Sequence, residues 1–166
     1  MGNNKETDKT AEESLWACRQ FVGVLAHCNK LGMTVEAAGD GYAQLKLPYS
    51  EAIVGNPDTG VVHGGSLTTL LDTSCGCAVF SALPGYELCP TLDLRTDYMR
   101  AAQPHHDLIC DARVIRASDN VVFVEGRVIQ SGDGELVAKA TASFMRIGVH
   151  LDKLIAQTVK AREASS

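Results

Sequence analysis

The sequence predicts an α+β fold in which an antiparallel β-sheet wraps around one central α-helix. Three observations predict it. The elements read in the order helix, two strands, helix, four strands. The separators between strand-like segments are short and rich in Gly, Asp, Asn, Ser and Pro, the chemistry of tight antiparallel turns. Third, the second helix, at about 64–83, has Asp72 as its only residue certain to be charged. A helix with so few charges on any face has to be covered on most sides, and a curved sheet covers it. A chain of 166 residues fits one such domain.

The elements follow in order. Residues 1–10 are polar and are expected to be a disordered tail. Leu15, Cys18, Val22, Leu25 and Ala26 recur at helical spacing, so 11–30 is expected to be an amphipathic helix ended by Lys30-Leu31-Gly32. Strands at 33–38 and 41–48 are joined through Gly39-Asp40-Gly41, and 48–60 reads as a loop holding Asn56-Pro57. The central helix stops at Leu83-Pro84-Gly85. Four strands follow, at 88–101, 107–116, 121–131 and 135–147. In the last of them Ala138, Ala140, Ala142 and Phe144 alternate with Lys139, Thr141 and Ser143, giving one apolar face of mostly small residues that lets a helix approach closely. A terminal helix at 151–163 closes the chain, so the expected division is a domain over 11–148 and a C-terminal helix and tail over 149–166.

Composition narrows the function. A net charge of −5 argues against a nucleic-acid or anionic-membrane surface. The first residues have no apolar signal core, and no apolar run is long enough to span a bilayer, so a cytoplasmic protein is expected. The six cysteines read as reduced core thiols. Cys75 and Cys77 form a C-x-C on a helix, with no second pair to complete a metal site. No P-loop, G-x-G-x-x-G, H-E-x-x-H or G-x-S-x-G is present, and His105-His106 read as solvated loop residues.

The segment GVVHGGSLTTLLD, residues 60–72, carries the chemistry. The first amides of a helix have no intrahelical acceptor, and with the helix dipole they favour an oxygen bearing negative charge. Glycine there admits a ligand close to the backbone, so Gly64-Gly65 can polarise a carbonyl; close packing alone is the other reading. Asp72 is flanked on its side of the helix by Gly65, Thr68, Thr69, Gly76 and Val79, which leave room beside the carboxylate. An acid in such a place is either satisfied structurally or is a base or nucleophile. Gly64 and Asp72 are about 12 Å apart along a helix. If both act on one carbonyl, two antiparallel copies of the helix must meet, which requires a two-fold dimer. His63, just before the helix, is placed to orient a substrate carbonyl or brace the loop.

NPDTGVVHGGSLTTLLDTSCGCAV resembles the signature of hotdog-fold acyl-CoA thioesterases of the phenylacetic-acid-degradation (PaaI-like) family, and TLDLRTDYMRAA and ELVAKATASFMRIG resemble two of its strands. The resemblance spans about 30–148. It implies a hotdog fold, a homodimer with side-by-side sheets, often a homotetramer, and hydrolysis of acyl-CoA without metal or cofactor. Carried over by position, the Gly64 amide would polarise the thioester carbonyl, with Gly65 beside it. His63 would order the site, Asp72 of the opposite subunit would activate water or attack, and Thr91 would lie near the attacking water. Asn56 stands seven residues before His63, with Pro57 in the alternative position, so it is either a site residue or a plain turn residue. Leu67, Leu71 and Cys75, with Thr68, are expected to line the acyl pocket, and Arg95, Arg100 and Arg116 to meet the CoA phosphates. Two rivals are a non-catalytic acyl-CoA-binding hotdog protein and a hotdog hydratase or dehydratase, which would pair an acid with a histidine.

Overall fold

The computed structural model describes residues 9–151. The expected terminal helix at 151–163 and most of the expected disordered tail lie outside the described residues.

Lys9 and Thr10, assigned to that tail, are instead fastened. The Lys9 ammonium donates to the Ser81 and Leu83 carbonyls, at the end of the central helix, and lies over the Tyr86 ring. Thr10 caps α1 (Ala11–Val24) in a reciprocal pair with Glu13. The helix expected over 11–30 is broken at Leu25 (φ −83°, ψ 101°), and α2 (Ala26–Leu31) sets off in a new direction. Asn29 Nδ2 donates to the Gly23 carbonyl at 2.6 Å, occupying one of the carbonyls that the break leaves open. Gly32, at φ 70°, ends α2.

Strands β1 (Thr34–Gly39) and β2 (Tyr42–Leu47) pair through an Asp40-Gly41 turn with both residues at positive φ. The expected loop after them holds one turn of 3-10 helix and a small hairpin, β3 (Val54–Asn56) and β4 (Val61–Val62). The central helix is α3 (Gly64–Ala82), and β5 (Glu87–Leu88) follows. Then come β6 (Thr91–Tyr98), β7 (Leu108–Ala117), β8 (Val121–Gln130) and β9 (Leu136–Met145). Val149–His150, placed by sequence in the C-terminal helix and tail, is a two-residue strand, β10, paired with β5.

The main sheet is antiparallel in the order β1-β2-β7-β8-β9-β6 and wraps α3, which is the hotdog arrangement. The inward alanines of β9 are buried, as the alternation predicts. Gly126 of β8 brings the helix closest: a Cβ there would stand 3.1 Å from both Leu71 Cδ2 and Cys75 Sγ. All six cysteines are free; five are buried and Cys89 is half-buried. No helix among the described residues is long and apolar enough to cross a membrane.

Glu87 is buried and holds the β5–β10 corner, accepting from Arg146 at 2.8 Å and from the Gly148 amide at 2.9 Å. Burial pushes its carboxyl up. The Arg146 hydrogen bond, the Gly148 amide and the guanidinium charge outweigh that and hold it below its usual value of 4.5. A lowered carboxyl stabilises the fold fully above its unfolded value, and that contribution is lost as pH falls through the folded one. Arg146→Met is therefore expected to cost stability at pH 7 and progressively less as pH falls through the carboxyl's lowered folded value, as read by denaturant unfolding across that range.

Candidate active site

The start of α3 is tightly braced. His63 is its N-cap, and Nδ1 accepts from the Gly65 amide at 2.9 Å, so the ring proton sits on Nε2. The Gly65 amide, expected to face substrate, is therefore already engaged. The His63 amide donates to Ile53 O at 2.8 Å, and Ser66 N donates to His63 O at 3.0 Å. Gly55 packs against this point, where a Cβ would stand 2.8 Å from His63 Cα. Among the described residues the Gly64 amide has no acceptor. The braces leave it as a free donor at a helix N-terminus.

Asp72 lies two turns further on, half-buried on the uncharged face that also holds Gly65, Thr68, Thr69 and Gly76. The Thr91 hydroxyl donates to its Oδ1 at 2.8 Å. Among the described residues it forms no ion pair. It opens on a groove of about 500 Å³ lined by α2, α3 and β6, whose apolar members are Leu25, Cys28 and Leu94. Thr68, Thr69, Thr73 and His27 complete the lining. The Thr69 hydroxyl donates to Gly65 O at 3.0 Å, so its oxygen accepts from His27 Nε2 at 3.4 Å.

Other expected site residues stand as follows. Leu67, Leu71 and Cys75 do not line this groove. They form the buried stripe of α3, with Leu71 and Cys75 against the sheet at Gly126, because a four-residue step keeps them on the covered side of the helix. Thr68 does reach the groove. Asn56 is exposed in the β3–β4 hairpin, where Oδ1 accepts from Asp58 N at 3.0 Å and the main-chain carbonyl from Gly60 N at 2.8 Å. Arg95 pairs with Asp97, and its register with Thr141 puts it on the outer face of the sheet, away from α3. Arg100 forks onto Asp133, which braces the β8–β9 turn. Arg116 is exposed near the end of β7, in register with Phe123 and at the opposite end of the sheet from Tyr98.

Several site residues escaped the sequence reading, among them Tyr98, His27, Leu25, Cys28 and Leu94. Tyr98 Oη lies 3.1 Å from the Gly64 carbonyl and 2.8 Å from Thr68 Oγ1. Its signal was present, since alternation along β6 places Leu94, Thr96 and Tyr98 on the helix-facing side. His27 had no signal, because it enters the groove only through the break at Leu25.

The sequence profile of the thioesterase superfamily matches residues 59–137, which takes in the helix start, Asp72 and the edge strand. A solved protein of Pseudomonas aeruginosa is 48% identical, over 81% of this chain and 99% of that one, with a TM-score of 0.73. The chain belongs to the thioesterase superfamily. Another relative is the medium/long-chain acyl-CoA thioesterase YigI of Escherichia coli K12, 29% identical over 82% of this thioesterase-superfamily chain and 96% of YigI. The E. coli PaaI protein, from the phenylacetic acid degradation operon, shares the superfamily fold at 19% identity, over 85% of this chain and 99% of PaaI, with a TM-score of 0.74.

Proposed function

We propose that this chain hydrolyses an acyl-CoA thioester to a free acid and CoA. The observation that carries the reading is Asp72, a carboxylate without an ion-pair partner among the described residues, opening on a mostly apolar groove. The thioester oxygen sits on the Gly64 amide, whose donor stabilises the charge that develops there in the tetrahedral transition state. Asp72 acts as general base on water or as nucleophile, with Thr91 orienting the carboxylate. His63 serves through Gly65, and Asn56 through the hairpin beside the helix start. The apolar acyl group lies against Leu25, Cys28 and Leu94. Arg116, which makes no ion pair among the described residues, is the candidate for a CoA phosphate. No cofactor enters the scheme, and a cytoplasmic setting suits the free thiols.

The two catalytic groups cannot serve one carbonyl within a chain, so the site is shared by two subunits. The second edge of β6 has no strand beside it among the described residues. Leu92, Tyr98 and Met99 are exposed on and just beyond this strand. An open edge of this kind calls for cover. Antiparallel pairing of β6 with the partner's β6 would cover it and set the two α3 helices antiparallel. The outer sheet face, with exposed Phe123 and Met145, suits a second contact between dimers, giving a tetramer.

A panel of short, long and aromatic acyl-CoAs with a thiol-detecting reagent tests the activity, and absence of CoA release from all of them defeats it. His27 in the same groove as Asp72 favours one rival, an acid–histidine pair for water addition. An enoyl-CoA that loses its double bond without releasing CoA would select that reading. The groove makes a further prediction. Leu25→Trp fills its apolar wall at a half-buried position. It should lower kcat/KM for the longest accepted chain by about tenfold or more and leave acetyl-CoA within about threefold.

A further inference from the structure

The link between Gly64 and Gly65 should be among the most pliant in the chain. The structure holds it at both ends. Its N–H, on Gly65, donates to His63 Nδ1 at 2.9 Å. Its carbonyl, on Gly64, takes the first main-chain bond of α3 and lies 3.1 Å from Tyr98 Oη and 3.3 Å from Thr68 Oγ1; these two hydroxyls are 2.8 Å apart, so one donates to the other, which donates to the carbonyl. The Tyr98 ring also lies flush with the helix start, since a Cβ on Gly64 would come within 3.4 Å of Cε1, Cζ and Oη. The preceding peptide is fixed through its carbonyl, which accepts from Ser66 N at 3.0 Å. Every polar group of these two peptides is thus committed except the Gly64 N–H.

We propose that Tyr98 is a positioning residue for this donor: from the edge strand, its hydroxyl and Thr68 clamp the Gly64–Gly65 peptide so that the Gly64 N–H is aimed before substrate arrives. The proposal rests on the thioesterase reading of the same site. A donor held in place costs no reorganisation when charge develops on the carbonyl oxygen, whereas a first helical turn of two glycines held by its main-chain bonds and cap alone keeps more freedom to lose in each turnover. The clamp acts on the transition state and hardly on ground-state binding, so its loss falls on kcat and spares KM.

Tyr98→Phe keeps the ring and removes only the hydroxyl. It should lower kcat by about tenfold, with KM changed less than about twofold and Tm unchanged. Thr68→Val should act in the same direction, and the double variant should be no worse than the more impaired single, because both hydroxyls serve one carbonyl. Wild-type kcat in Tyr98→Phe, single effects that multiply, or a fall matched by loss of folded protein would overturn the clamp. Amide exchange at Gly65 in the resting protein separates this idea from the reaction it serves. Faster exchange in Tyr98→Phe supports the clamp even if the wild type releases no CoA from any acyl-CoA, in which case the thioesterase reading alone fails. Unchanged exchange overturns the clamp whatever the activity.

Discussion

Asp72→Asn is expected to fold and assemble as the wild type does and to release CoA at least about 10²-fold more slowly. The substitution is nearly isosteric and keeps an oxygen for the Thr91 hydroxyl, which donates to Oδ1 at 2.8 Å. Removing the charge from a half-buried position without an ion-pair partner among the described residues breaks no salt bridge, so stability should hold or rise slightly. What disappears is the basic oxygen that takes a proton from water or attacks the carbonyl. The check is kcat across the acyl-CoA panel beside a thermal melt. Turnover like that of the wild type would remove Asp72 from the chemistry and leave the carboxylate a structural group.

The second large effect is expected from Gly64→Pro. Gly64 is the first residue of α3, a position that proline favours because its missing N–H is not needed by the helix. The preceding residue, His63, has φ −68° and ψ 133°, the extended geometry that a following proline requires. The fold should therefore survive while one donor is deleted, and kcat should fall by about 10² to 10³-fold. The pair of variants also tests the shared site. Subunits with Asp72→Asn and subunits with Gly64→Pro are each nearly inactive alone. Refolded together in equal amounts, half of the dimers are mixed, and each mixed dimer holds one site with both groups intact. Activity should return to about a quarter of the wild-type level. A mixture no more active than its parents, with mixed dimers demonstrated by mass, would place both groups in the service of one subunit.

Much of this was legible in the residues. The absence of charge from α3 required a cover, and the turn chemistry at Asp40-Gly41 and after Ala117 fixed how the strands pair. Asp72 stood out because it is the one charge in that helix. The break at Leu25 left only a weak trace in Gly23, two residues before it, while Leu25 and Ala26 continue the helical periodicity. With the break unseen, His27, Leu25 and Cys28 stayed outside the site. The side of α3 that meets the sheet was also hidden. Leu67, Leu71 and Cys75 form a stripe in either case, and it is Gly126, distant in sequence, that receives Leu71 and Cys75. In sequence Tyr98 reads as part of a strand and not as a partner of the helix start, because that contact joins residues 34 positions apart.

The place of β6 in the sheet bears on how the molecule is made. Among the described residues its only strand neighbour is β9, the last of the large strands, so Thr91–Tyr98 leaves the ribosome before its strand partner exists and is held in place only once that strand is made. The Thr91 contact to Asp72 and the Tyr98 contact to Gly64 are then among the latest to form. A nascent or prematurely terminated chain lacking Leu136–Met145 would present that segment unpaired, with its exposed Leu92, which is the species a holding chaperone would be expected to grip.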